Sequence, residues 1–223
     1  VEGVQPDGSV RMMLTGQVFA IMSGTATDTQ VEAVARSADR YLYKKEAGGY
    51  RLNTDFHELK FDMGRMFGFA YGEKENGAVF SHMTVMYANA LYRRGFVREG
   101  YRALQTLADT AMDFQTSKIY PGIPEYFNGE GRGMYHYLTG AASWYMLTVI
   151  TEMFGVHGEG GDLVITPKLV REQFDERGEA AIDLSFAGKQ FHAVIVNPAG
   201  KDFGAYRAPR TVLSREKINS LPE

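Results

Sequence analysis

The sequence predicts a mainly α fold with a β segment at its C-terminal end. Three observations carry this. Apolar residues recur at helical spacing in four stretches before residue 155. The run Gly158-Glu159-Gly160-Gly161 then breaks the pattern. After residue 180, two short runs alternate with period two about a Gly turn. A boundary near residue 160 follows, with 1–160 helical and 161–223 β-rich.

The elements come in order. Ser23 to Thr27 is a small-residue break. From Asp28 to Tyr43, Val31, Val34, Ala35, Ala38 and Leu42 lie on one helical face; Thr27 or Asp28 can cap the start, and Lys44 and Lys45 suit the end. Val79, Met83, Met86 and Ala90 mark a second helix from Gly77 to Arg94, closed by Gly95. Val97, Tyr101, Leu104, Ala108 and Ala111 mark a third. The fourth, Leu138 to Phe154, is apolar nearly all round, which predicts burial on most sides, and Gly155 stops it. Leu163-Val164-Ile165 reads as a strand. Ala181 to Phe186 and Phe191 to Val196 read as a hairpin about Ala187-Gly188-Lys189. Two long Gly- and aromatic-rich loops remain, Asn53 to Glu75 and Ser117 to Tyr137. Ordered loops of roughly 20 residues are uncommon and usually functional.

The 223 residues carry 24 Lys and Arg against 27 Asp and Glu, a net charge of -3. Such a balance argues against sequence-independent nucleic-acid binding, which needs clustered cations. No apolar run of about 18 residues suggests a membrane span. Cysteine is absent, which removes disulfides, Cys-based zinc sites and cysteine nucleophiles and fits a cytoplasmic protein. The start, Val1-Glu2-Gly3, has neither an initiator Met nor a signal peptide and reads as the interior of a longer chain. The 13 Tyr, 14 Phe and one Trp supply rings that can stack on sugar faces or simply pack.

There is no GxxxxGK[ST], HExxH or GxSxG, and the five His lack metal-ligand spacing. Two clusters remain. In Gly72-Glu73-Lys74-Glu75-Asn76-Gly77-Ala78-Val79-Phe80-Ser81-His82 a polar string enters an apolar helix, with His82 expected one turn inside it. It reads either as a capped helix start with a satisfied core His or as a binding face. In Tyr135 to Trp144, Thr139-Gly140 sits at a helix mouth. Free backbone N–H groups there suit an anion, or the small residues serve close packing.

Taken together, Lys74-Glu75-Asn76-Gly77 with Ser81-His82, then Tyr137-Leu138-Thr139-Gly140-Ala141-Ala142-Ser143-Trp144, then Gly161 to Pro167 resemble the inverting phosphorylases of glycoside hydrolase family 94. That family includes cellobiose, cellodextrin, laminaribiose, chitobiose and 1,2-β-oligoglucan phosphorylases. The resemblance runs from about residue 16 to 167. It implies the second half of an (α/α)6 catalytic barrel followed by a segment of a small β-sandwich domain. It implies phosphate binding by His82, Thr139 and Gly140, and an acceptor-sugar subsite lined by Lys74 and Glu75. The implied reaction is reversible cleavage of a β-glucosidic bond by inorganic phosphate, giving an α-sugar 1-phosphate. Phosphate is then a substrate, and no cofactor or metal is implied. Expected partners are a small sugar, phosphate, the remainder of the enzyme chain and a second copy in a homodimer.

The family's general acid is an Asp in a Trp/Asp-rich motif upstream of the His, and this stretch has only Trp144. The catalytic group is therefore expected outside this chain, which assayed alone should be inactive. Asp55, Glu58 and Asp62 are the candidates should it turn over. The loop Lys118 to Phe127 looks nearer to the oligosaccharide-acting members. Its aromatics Tyr120, Tyr126 and Phe127, with Tyr135, either build a sugar platform or pack the loop. A hydrolase or lyase on a related helical toroid, or a non-catalytic carbohydrate-binding module, are the competing readings.

Overall fold

The computed structural model describes residues 2–120, 122–136, 139–206 and 210–221. Helices and small antiparallel sheets alternate through a chain that divides into two compact units, Val1–Tyr145 and Met146–Glu223.

In the first unit, α1 (Leu14–Met22) buries Leu14, Val18 and Ile21, spaced so that they fall on one stripe. The sequence gives little warning of this helix, because Gly16 lowers its propensity and no side chain caps it. By contrast α2 (Asp28–Tyr41) opens on a complete capping box. Thr27 Oγ1 accepts from the Gln30 amide at 3.3 Å, and Gln30 Oε1 accepts from the Thr27 amide at 2.8 Å. It ends two residues short of the expected Tyr43, since β3 (Tyr43–Lys44) pairs with β4 (Gly49–Tyr50). A two-stranded sheet, β1 (Gly3–Val4) with β2 (Val10–Arg11), precedes α1.

The expected Gly77–Arg94 helix starts later. Val79–Phe80 forms β5, and α3 covers Ser81–Arg93. The β-branched and aromatic pair finds a strand partner, which competes with the first helical turn. His82 is therefore the second residue of α3, and not one turn inside it. This helix is buried almost all round, including Tyr87, Ala88, Asn89, Ala90, Leu91 and Tyr92. It packs on α1 and on α4 (Val97–Met112). A single turn, α5 (Phe114–Ser117), follows.

A polar cluster braces these helices. Tyr50 donates to Asp39 at 2.5 Å, Arg102 donates to the same carboxylate at 2.8 Å, and the Arg102 guanidinium lies 4.1 Å over the Tyr43 ring. Burial, then the bond to Asp39, drives the Tyr50 hydroxyl's pKa far above the ordinary tyrosine value, so it stays a donor.

The predicted fourth helix begins at Leu138, which lies outside the described residues, as do Tyr137 and Pro121. What is described is α6 (Gly140–Thr148), continued by one π turn over Val149–Met153. Its expected burial does not hold: Met146 is 58% and Leu147 47% exposed. The described chain covers only part of its apolar surface, whereas α3, with a weaker apolar signature, is the enclosed helix.

The second unit holds β8 (Val156–Glu159), β9 (Asp162–Ile165) and β12 (Thr211–Leu213) in the order β12–β9–β8. A separate hairpin pairs β10 (Glu179–Phe186) with β11 (Lys189–Val196) in register from Glu179↔Val196 to Phe186↔Lys189. Its two-residue turn, Ala187-Gly188, has both residues at positive φ (48° and 77°). Ile182, Leu184, Phe186 and Phe191 from the hairpin pack on Val156, Leu163 and Ile218, the last from α7 (Arg215–Asn219). Among the described residues no helix is long and apolar enough to cross a membrane.

Gly155 turns the chain from the π turn into β8 at φ 66°, and a Cβ placed there would stand 2.0 Å from the Thr166 carbonyl oxygen. Gly155→Ala is expected to lower stability by about 2–3 kcal/mol, combining left-handed strain with a backbone clash. The urea midpoint reads this directly, and an unchanged midpoint would contradict the geometry.

Candidate functional site

A strand and a hairpin distant in sequence meet through main-chain pairing. β5 pairs with β6 (Tyr126–Phe127), and β6 with β7 (Gly133–Met134). The sheet continues past its strands, since the Ser81 amide donates to the Glu125 carbonyl and the Glu125 amide to the Tyr135 carbonyl, both at 2.9 Å. This sets the first turn of α3, Glu125 and Tyr135 side by side.

The Glu73–Asn76 turn is pinned from below. Asn53, almost fully buried, donates to Asn76 Oδ1 at 3.1 Å and accepts from the Gly77 amide at 2.8 Å, while Asn76 donates to the Phe69 carbonyl at 2.9 Å. Glu73 fixes the turn to the β6–β7 hairpin by accepting from Tyr126 Oη at 3.1 Å and Asn128 Nδ2 at 3.3 Å. Desolvation first, and then Glu73, raises the Tyr126 pKa. Lys74, at the corner with φ 48°, is turned toward Tyr135. Its ammonium lies 3.6 Å from the Tyr135 ring centroid and donates to Glu125 Oε2 at 3.3 Å.

A cavity of about 460 Å³ opens here, lined by Lys74, Phe80, His82, Glu125, Tyr135, Thr139 and Gly140. His82 Nε2 is shielded from solvent and makes no hydrogen bond among the described residues. Burial lowers the ring's pKa below the ordinary histidine value, so the ring is neutral at pH 7. The ring stands 5.5 Å from that of Trp144. Gly140 permits its position, because a Cβ on Gly140 would come within 3.0 Å of His82 Cε1. Thr139 Oγ1 accepts from the Ala141 amide at 3.2 Å and so caps α6.

Of the residues singled out from sequence, His82, Thr139, Gly140 and Lys74 thus share one wall. Glu75 does not line it: the Arg65 guanidinium binds Glu75 Oε1, with Nε at 3.0 Å and Nη2 closer still, while Oε2 is buried with no partner among the described residues. Asp55, Glu58 and Asp62 are absent from the lining as well, and Glu58 is paired with Arg11 at 2.7 Å. Among the described loop aromatics, Phe127 is fully buried, Tyr126 is buried against Phe80 in a parallel stack, Tyr120 is exposed, and Tyr135 faces the cavity. Sequence reasoning passed over Glu125 and Phe80. Their one signal was position: Glu125 precedes an aromatic pair, and Phe80 immediately precedes Ser81-His82.

Comparison with known proteins agrees with the resemblance. Residues 3–155 match the Glycosyl hydrolase 94 superfamily, catalytic domain. A cellobionic acid phosphorylase of Neurospora crassa is 26% identical over 181 residues, covering 76% of this chain and 23% of that protein. A 3-O-β-D-glucopyranosyl-β-D-glucuronide phosphorylase of Paenibacillus borealis is 22% identical over 214 residues, covering 92% of this chain and 27% of that protein. The chain therefore spans about a quarter of the length of these curated relatives. With the match extending over most of its length, this chain belongs to the glycosyl hydrolase 94 superfamily, within the catalytic domain.

Proposed function

We propose that this chain supplies the phosphate seat and part of the acceptor-sugar subsite of an inverting β-glucoside phosphorylase. The observation that carries the reading is the shared cavity wall of His82, Thr139, Gly140 and Lys74. In this reading the helical unit is part of an (α/α)6 barrel and the C-terminal sheets belong to a small β-sandwich domain.

Phosphate sits at the mouth of α6, where amide donors and the positive end of the helix favour an anion. His82 Nε2, which has no partner among the described residues, donates to a phosphate oxygen. One phosphate oxygen attacks the anomeric carbon as the glycosidic C–O bond breaks on the opposite face. An acid supplied from outside this chain protonates the leaving oxygen, and an α-sugar 1-phosphate results. Gly140 keeps the seat open; any larger residue would press on the imidazole. Both relatives are named for substrates that carry a sugar acid. Sugar acids therefore belong among the acceptors to be tested here, with Lys74 as their counter-ion.

An active enzyme carrying this chain is expected to release sugar 1-phosphate only when inorganic phosphate is present. Product formation in phosphate-free buffer would favour the hydrolase or lyase reading. His82→Ala should weaken phosphate use by about 1.5–3 kcal/mol, the range for a hydrogen bond to a charged group, and Gly140→Ala should act in the same direction. Acceptor KM should change less in both variants.

The ring of His82 supplies a pH test. Its folded-state pKa is depressed, so the unfolded chain binds its proton first and stability falls with pH below the ordinary histidine value of about 6.5. Phosphate should raise the ring's midpoint, because a bound anion favours imidazolium. An NMR titration with and without phosphate reads both effects. A midpoint indifferent to phosphate would remove the anion from this wall.

A further inference from the structure

We propose that Glu125 sets the charge preference of the acceptor end of this cavity by holding the Lys74 ammonium neutralised. The inference rests on the phosphorylase reading above and adds a specificity residue to it. The two groups form a fixed pair. Glu125 is clamped at its own backbone, through its amide to Tyr135 and its carbonyl to Ser81, so its side chain leaves from a rigid point. Lys74 leaves from a turn anchored by Asn53, and the Tyr135 ring supports its ammonium from the other side. The pair is only partly screened by water, with the Lys74 side chain 19% and the Glu125 side chain 35% exposed, and both line the cavity.

The consequence is one of charge. An ionised carboxylate offers about four acceptor positions, and Lys74 occupies one of them. The remainder can accept from sugar hydroxyls. An acceptor bearing its own carboxylate meets an attractive ammonium and a repulsive carboxylate a few ångströms apart, and the two largely cancel. Neutral acceptors meet no such opposition. The Glu125 charge therefore holds acidic acceptors back, and Lys74 admits them.

The test uses an active enzyme carrying this chain in the synthetic direction, with a sugar 1-phosphate donor and either glucose or glucuronate as acceptor. Glu125→Gln leaves Lys74 unopposed. The ratio of kcat/KM for glucuronate to that for glucose should rise on the order of tenfold, the scale of one charge-assisted contact, with donor KM little changed. Glu125→Ala removes the same charge with different packing and must move the ratio the same way. In a Lys74→Met background the shift should shrink, because only the carboxylate's own repulsion is then removed and no ammonium remains to be released. A ratio that stays constant or falls in either active Glu125 variant overturns the inference. Lack of phosphate-dependent turnover in the unsubstituted enzyme would instead count against the phosphorylase reading.

Discussion

Main-chain pairing between Val79–Phe80 and Tyr126–Phe127 is the constraint on which the site depends. It joins segments more than 40 residues apart with two residues from each. A ladder this short has little stability of its own. It persists because Phe127 and Val79 are fully buried and because the Ser81 amide, an unpaired donor of the α3 first turn, finds the Glu125 carbonyl. Four of the lining residues take their places around that join: His82 follows it, Lys74 precedes it, and Glu125 and Tyr135 flank it on the partner segments.

The side chains then arrange themselves by charge and by shelter. Lys74 takes a carboxylate on one side and an aromatic face on the other. Glu75, its neighbour in sequence, points to Arg65. A tight turn sends successive side chains in different directions, so adjacent residues in the chain need not share a cavity. Farther down, the Tyr50–Asp39–Arg102 cluster satisfies polar groups that would otherwise be costly to enclose. The helical unit is thus held by polar bonds as well as by apolar packing.

Much of this was legible in the sequence. The cap at Thr27 or Asp28 with the apolar face behind it announces α2, and the alternation about Ala187-Gly188 announces the last hairpin. The motifs that resemble family 94 directed attention to His82, Thr139 and Gly140, and these residues do line one cavity. What could not be read was decided by tertiary pairing. Val79 and Phe80 fit a helical stripe as well as a strand, and only their partners at residues 126 and 127 settle which they join. Burial of α6 was overestimated because apolar periodicity records a preference for cover without saying what supplies it. Glu125 escaped notice because its significance is a distance to Lys74 across 51 positions.

The last hairpin also shows where this sequence stops short of its own optimum. Ala187 holds a left-handed backbone at φ 48°, a conformation that an alanine adopts at a cost of about 1–2 kcal/mol and that asparagine tolerates far better. Eight paired positions on each side force the corner regardless of what stands in it. The turn is therefore dictated by its strands, and its first residue is free to drift. Such a position is a reserve of stability: a protein engineer, or natural selection under heat, could draw on it without touching the cavity wall.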